Sequence, residues 1–182
     1  MKVHAGRFKG TPIKVKTLIP IRPTTDKIRE WIFQIIEPHL PESRFLDLYA
    51  GSGIVGIEAL SCGSKFVVFV DNTTSVLIRQ NLHALGHTIP AKIYKEDVLH
   101  FLCRKHPATF RFHIINADPP YNYDHYPQLL RTIANTRLLE EGGLFILESG
   151  KHSTIASSDL MLPVLREKGF GETRVTIFKK GT

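Results

Sequence analysis

At 182 residues and 42% hydrophobic, the chain has the makings of one globular domain with a small appendage; two full cores are excluded. No apolar run nears the roughly 20 residues of a membrane span, and the start Met1-Lys2-Val3-His4 lacks a secretory apolar block, so a soluble cytoplasmic protein with no membrane partner is expected. The net charge of +7 is concentrated, because residues 1–30 carry eight Lys/Arg against two acids and leave the other 152 residues at +1. That is the electrostatic footprint of a protein that meets a polyanion, most often nucleic acid; a solubilising tail is the plainer alternative.

In chain order, Val3 to Val15 mixes short β-prone pieces with Gly6, Gly10 and Pro12, which predicts a basic hairpin or extended arm. Arg22-Pro23-Thr24-Thr25-Asp26 supplies helix-start chemistry. Ile28, Trp31, Ile32, Ile35 and Ile36 then follow at helical spacing, up to a stop near Pro38. Residues 1–40 thus read as a basic arm and helix packed on a main domain of residues 41–182.

Within that domain apolar runs alternate with helical segments. Strands are expected at 45–49, 66–70, 91–94, 110–115 and 144–148. Helices fill the intervals, up to about 62 and over 75–85, 98–105 and 126–138. Residues 163–168 and 173–178 flank Gly169-Phe170-Gly171 as a closing antiparallel hairpin. The fold class is therefore α/β: a doubly wound, mostly parallel seven-stranded sheet with a terminal antiparallel hairpin strand. Ligands of such sheets bind outside the carboxyl ends of the strands, where strand order reverses.

"DLYAGSGIVG" places Gly51, Gly53 and Gly56 between a strand and a helix, with Asp71 ending the next strand, placed to accept from ribose hydroxyls. An adenosine-containing cofactor is implied, and nicotinamide dinucleotides and S-adenosylmethionine both fit. Asp47, four residues before Gly51, favours the second: Asp-x-x-x-Gly-x-Gly looks like the first cofactor motif of class I methyltransferases. The plainer role for Asp47 is to cap nearby loop N–H groups. Asp97 stands where that fold contacts adenine and is equally a good helix N-cap.

The most specific signal is "NADPPYN". Pro119 holds Asp118 extended, and two consecutive prolines stiffen a loop that presents carboxylate and carbonyl acceptors before the ring of Tyr121. Such acceptors suit the exocyclic amine of a nucleobase. They hold its hydrogens, favour the pyramidal nitrogen needed for attack on a methyl sulfonium and stabilise the developing charge. Tyr121 would stack on a base that has been unpaired or flipped out. Asp, unlike Asn, matches the adjacent N1–H and N2–H donors of guanine. The plainer reading is a proline turn that ends a strand.

Cys62 and Cys103 are too few and too far apart for a disulfide framework or thiolate site. His83 and His87, at helical spacing, have no acid or cysteine to complete a ligand set, so no metal is expected.

"AGRFKGTPIKV", "RPTTDKIREWIF", "DLYAGSGIVGIEAL", "VVFVDN" and "ADPPY" together resemble the bacterial 16S rRNA guanine-N2 methyltransferase family over nearly the whole chain. The resemblance implies methyl transfer from S-adenosylmethionine to the N2 amine of one guanine in the small ribosomal subunit. It assigns Asp47, Gly51, Gly53 and Asp71 to the cofactor and Asp118, Pro119, Pro120 and Tyr121 to the target amine. It also implies that the arm and the stretch 22–29 contact rRNA or help close the cofactor pocket, which makes Arg7, Lys9, Lys14, Arg22, Lys27 and Arg29 the RNA candidates. Tyr49 stands where the family often has Phe, Ile54-Val55 replaces smaller residues, and Asn116 occupies a usually apolar strand position. Competing expectations are an adenine-N6 methyltransferase on DNA or RNA and a non-catalytic ribosome-binding factor on the same fold; a dehydrogenase would need a hydride-handling site that the sequence does not offer. A monomer is expected, since no sizeable element is left over for an interface.

Overall fold

A side-chain period of two along each strand decides which residues meet which helices, and here it sorts the core into two layers on either side of one sheet. The computed structural model describes residues 1–15, 24–86, 88–120, 123–151, 153, 155 and 161–181. Its elements are α1 (Thr24–Ile36), a 3-10 turn (Glu37–His39), β1 (Arg44–Leu48), α2 (Ile54–Ser61), β2 (Phe66–Val70), α3 (Ser75–His83), β3 (Ala91–Tyr94), α4 (Val98–Cys103), β4 (Phe112–Ala117), α5 (Tyr126–Asn135), β5 (Leu139–Gly150), β6 (Val164–Phe170) and β7 (Thr173–Lys179).

The seven strands lie in the order β3-β2-β1-β4-β5-β7-β6. The first five run parallel, and β7 enters antiparallel between β5 and β6. This is the doubly wound sheet with a terminal hairpin that the alternating pattern implies. From β1 the chain winds outward through β2 and β3, then returns to lay β4 on the other side of β1. Strand order therefore reverses between β1 and β4, and in sheets of this kind a ligand crevice forms outside the carboxyl ends at that point.

On one face Phe45, Val67, Phe69, Ile114, Ile146, Val175 and Ile177 pack with α1, α2 and α3. On the other, Leu46, Leu48, Val68, Val70, Ile115, Phe145 and Leu147 pack with α4 and α5. Strands buried on both faces lose the polar alternation of a half-exposed strand and read as continuous apolar runs, as Phe66–Val70 does. Trp31 of α1 meets Phe170 of β6 edge-on at 5.6 Å between ring centroids, so the N-terminal helix reaches across to the hairpin end of the sheet.

The basic N-terminal segment is docked and does not project as a free arm. Val3 and Ile13 are buried in the core, and one antiparallel bridge joins Lys2 to Pro12. Arg7 N–H donates to Ser61 O at 2.9 Å and Phe8 N–H to Ser61 Oγ at 2.8 Å, which ties the segment to the end of α2. Gly6 is essential to this contact: at φ +74°, an added methyl carbon would lie 1.9 Å from Ser61 O.

β4 is displaced by two residues and β5 is lengthened relative to the hydropathy pattern. β4 spans Phe112–Ala117, continuing through polar Asn116, and β5 starts at Leu139 instead of Leu144. In β5 the stretch Glu140-Glu141-Gly142-Gly143 looks like a turn, but Leu139 pairs with Phe112 across a register shift in β4–β5.

Candidate active site

Asp47 is the fourth residue of β1 and faces α2, a position that Phe45 fills two residues earlier with core. It is 1% exposed. Its Oδ2 accepts from Gly56 N–H at 3.0 Å and its Oδ1 from Asn116 Nδ2 at 3.0 Å. Burial raises its pKa to about 7, against the pull of those two donors, with the charges of Asp118 and Asp71 adding to the rise.

The loop after β1 is held in left-handed backbone, with φ +55° at Tyr49, +55° at Gly51 and +79° at Gly53, which leads into α2. Glycine adopts this freely; at Tyr49 it costs of order 1 kcal/mol or more and marks a segment that its surroundings constrain. That conformation turns the Tyr49 ring toward the loop after β4. Its hydroxyl donates to Tyr123 Oη at 2.8 Å, and the two rings meet edge-on at 5.5 Å. Burial, followed by the Tyr123 contact, pushes the Tyr49 hydroxyl well above the usual phenol range, so it stays protonated.

Gly56 differs from the other two glycines. It lies inside α2 and is buried, and a methyl carbon there would come within 2.3 Å of Phe69 Cε1. Its lack of a side chain serves helix-to-sheet packing, and its N–H serves Asp47.

Asp71, just past β2, accepts from Gly51 N–H at 3.0 Å through Oδ2, and from Thr73 and Thr74 N–H at 2.8 Å each through Oδ1. Partial burial alone would raise its pKa, but these backbone donors outweigh it and hold the carboxyl below the ordinary aspartate value. The same carboxylate ties the loops after β1 and β2 together. Asp97 is exposed and caps α4, accepting from His100 N–H at 2.9 Å; its charge also reaches Tyr49 and Tyr123.

Asp118 follows β4, and its N–H reaches back to Leu48 O of β1 at 3.5 Å. Its side chain is exposed, Pro119 is buried and Pro120 is exposed. Tyr121, expected to stack on the target base, lies outside the described residues. Asp47, Asp71, Asp97 and Asp118 thus stand at or just past the ends of β1, β2, β3 and β4, around one crevice. A further acid, Glu148 near the end of β5, feels the charges of Asp118, Asp47 and Arg29. Burial first, then the two aspartates, push its carboxyl well above the ordinary glutamate value.

Sequence reasoning passed over Glu148 and Tyr123, and marked Asn116 only as a polar residue in a usually apolar strand position. Glu148 ended a strand run as the other acids do and could have been read from that; the roles of Asn116 and Tyr123 depend on partners 69 and 74 residues away.

Of the basic candidates, Arg7, Lys9, Lys14 and Lys27 are exposed, and Arg22 lies outside the described residues. Arg29 must be corrected as an RNA-facing side chain. It is 3% exposed, its Nε donates to Glu58 Oε2, and its Nη2 pairs with Asp26 at 3.0 Å and donates to Lys2 O at 3.1 Å. A guanidinium committed in this way is not available to a phosphate. Among the described residues no group of three or more His, Cys, Asp or Glu could hold a metal ion, and no helix is long and apolar enough to cross a membrane.

Comparison with known proteins gives the family and the fold. The chain is 36% identical, over 99% of each chain, to "Putative rRNA methyltransferase YlbH" of Bacillus subtilis. It is 29% identical to "Ribosomal RNA small subunit methyltransferase D" of Haemophilus influenzae, over 94% of this chain and 89% of that protein. The solved structure of "Putative methyltransferase yhhF" from Escherichia coli superposes with a TM-score of 0.83 over 100% of this chain and 98% of that one; at 24% identity it speaks for the fold. The family described as "Conserved hypothetical protein 95" matches residues 1–179, and the chain belongs to it, the small-subunit rRNA methyltransferase D family.

Proposed function

We propose that this protein transfers a methyl group from S-adenosylmethionine to the exocyclic N2 amine of a guanine in 16S rRNA of the small ribosomal subunit. The observation that carries the reading is the adjacency of Asp47 on β1 and the Asp118-Pro119-Pro120 turn at the end of β4, across the point where strand order reverses. Proteins named as rRNA methyltransferases among the relatives support rRNA as the substrate class.

The residues suit the cofactor. Its sulfonium and ammonium groups call for nearby acids, which Asp47 provides at the amino-acid end, while Asp71 serves the ribose and Asp97 the adenine. At Gly51 an added methyl carbon would find no atom nearer than 3.9 Å, so the backbone is open to close approach. Bound there, S-adenosylmethionine supplies an electrophilic methyl group.

The chain's own residues do the rest. Asp118 accepts the N2–H and N1–H donors of guanine, fixes the amine against the methyl carbon and offsets the positive charge that develops on nitrogen. Pro119 and Pro120 keep that carboxylate extended, and Tyr121 stacks on the base. The exposed cations Arg7, Lys9, Lys14 and Lys27, with Arg22, meet the rRNA backbone.

The test is to supply methyl-labelled cofactor with unmodified small subunits, free 16S rRNA and DNA in parallel, then digest each to nucleosides. Label in N2-methylguanosine from subunits or rRNA is expected. Label in N6-methyladenine would replace the target, and no label in any substrate would contradict an enzymatic role.

A further inference from the structure

One carboxyl at the crevice has no part in the reading above. Glu148 lies near the carboxyl end of β5. The β4–β5 register pairs Asn116 with Ile146 and Ala117 with Leu147, so Asp118 and Glu148 come side by side one step further on. Side chains two residues apart on a strand share a face. Asp118 therefore follows the face of Asn116, whose amide meets Asp47, and Glu148 that of Ile146, which packs in the layer under α1. The charges that act on Glu148 agree: Asp118 from the end of β4, Asp47 from β1 and Arg29 from α1.

Sheet order assigns sides to the crevice. The cofactor candidates Asp97, Asp71 and Asp47 belong to the ends of β3, β2 and β1, all on one side of β4, and β5 lies on the other. Asp118 stands on the boundary. Glu148 stands beyond it, on the side left for the target base.

We propose that Glu148 is a second carboxyl of the target-base site, which beside Asp118 holds the proton that the target amine loses on methylation. The inference rests on the guanine-N2 reading given above. In the step, the lone pair of N2 forms the N–C bond while the C–S bond breaks, leaving its electron pair on sulfur. The nitrogen, now cationic, gives one proton to the carboxylate pair. One positive charge on sulfur and one negative charge on carboxylate are both lost, and the step balances.

Position explains why Glu148 suits this role. Burial and its two acidic neighbours give it a high proton affinity in the cofactor-free protein. A sulfonium in the crevice opposes that effect and favours the ionised carboxylate. Methyl transfer removes the sulfonium charge, so the affinity of Glu148 rises as the amine sheds its proton. Asp118, exposed at the crevice mouth, keeps the role of orienting acceptor.

The experiment compares wild-type protein, Glu148→Gln and Glu148→Asp in single-turnover methyl transfer to small ribosomal subunits, with cofactor affinity measured alongside by calorimetry. Glu148→Gln keeps the shape and removes the proton site, and its transfer rate is expected to fall by about a hundredfold, with cofactor affinity falling far less, by the roughly few-fold that the sulfonium–carboxylate attraction contributes. Glu148→Asp, which keeps a carboxyl, recovers part of the rate. Wild-type transfer by Glu148→Gln overturns the proposal, as does a Glu148→Asp protein no faster than Glu148→Gln. Loss of cofactor binding in Glu148→Gln also overturns it, since that places Glu148 in the cofactor half. Wild-type protein that makes no N2-methylguanosine sinks the underlying function instead, so the two failures are told apart.

Discussion

Asn116 Nδ2 donates a 3.0 Å hydrogen bond to Asp47 Oδ1, between adjacent strands and with both residues 1% exposed. A polar residue in an otherwise apolar strand thus supplies a donor to a carboxylate that burial would otherwise drive to its neutral form. Asn116→Leu removes that donor and raises the proton affinity of Asp47, so less of it is ionised at pH 7. S-adenosylmethionine affinity is expected to fall by about tenfold at pH 7, in line with loss of one hydrogen bond to a charged group. Part of the loss should return at pH 9. Calorimetric titrations at the two pH values check this, and equal losses at both would place the effect of Asn116 elsewhere.

Asp47 itself carries a stability cost of definite sign. Its pKa of about 7 in the folded protein lies above the ordinary 3.8. Between those values the unfolded chain is ionised while the folded one keeps its proton, so folding takes up a proton and stability falls as pH rises through the window, levelling off above about 7. Asp47→Asn abolishes the effect. The cofactor-free variant is expected to melt several degrees above wild type at pH 8, each 1 kcal/mol being about 2–4 °C at this size, with the gap narrowing toward pH 4. On the proposed function, cofactor binding is expected to be lost in the same variant. Calorimetric melts across that range test the sign directly.

The parallel strands and the acids at their ends were legible because each signal is local: an apolar run, a glycine turn, an acid at the run's end. Phe66–Val70 and Ala91–Tyr94 fall where the pattern puts them. What escaped was set by distant partners. Asn116 reads as the end of a strand until Asp47 is seen to hold it, and the early start of β5 depends on pairing of Leu139 with Phe112. Arg29 counts as one more basic residue until Glu58 is found beside it. Net charge records how many cations a segment has; it carries no information on which are already paired inside the fold.

The Arg29–Glu58 pair also fastens the N-terminal segment. Glu58 is 2% exposed, and its second oxygen, Oε1, accepts from His4 N–H at 3.1 Å. Glu58→Ala leaves Arg29 buried without that partner, and a loss of about 3–5 kcal/mol in unfolding free energy is expected, measured by urea titration. Hydrogen exchange should quicken first in residues 1–15.

Lys9 and Lys14 are exposed on the docked segment, and Lys14 is fixed at its backbone by Asn81, whose Oδ1 accepts from its N–H at 2.9 Å. Charge reversal of both is expected to weaken binding to small subunits and to flatten its salt dependence, while S-adenosylmethionine affinity stays unchanged. An unaltered salt slope would return the segment to a solubilising role.

In the proposed mechanism, chemistry happens at the end of β4, while the cofactor is held from β1, β2 and β3. Asp118→Ala separates the two. Purified wild-type and variant proteins would be compared for calorimetric cofactor binding and for methyl transfer to guanine N2 in unmodified small subunits. Near wild-type cofactor affinity is expected, with transfer reduced by about a hundredfold or more. A variant that transfers methyl groups at the wild-type rate would contradict the mechanism.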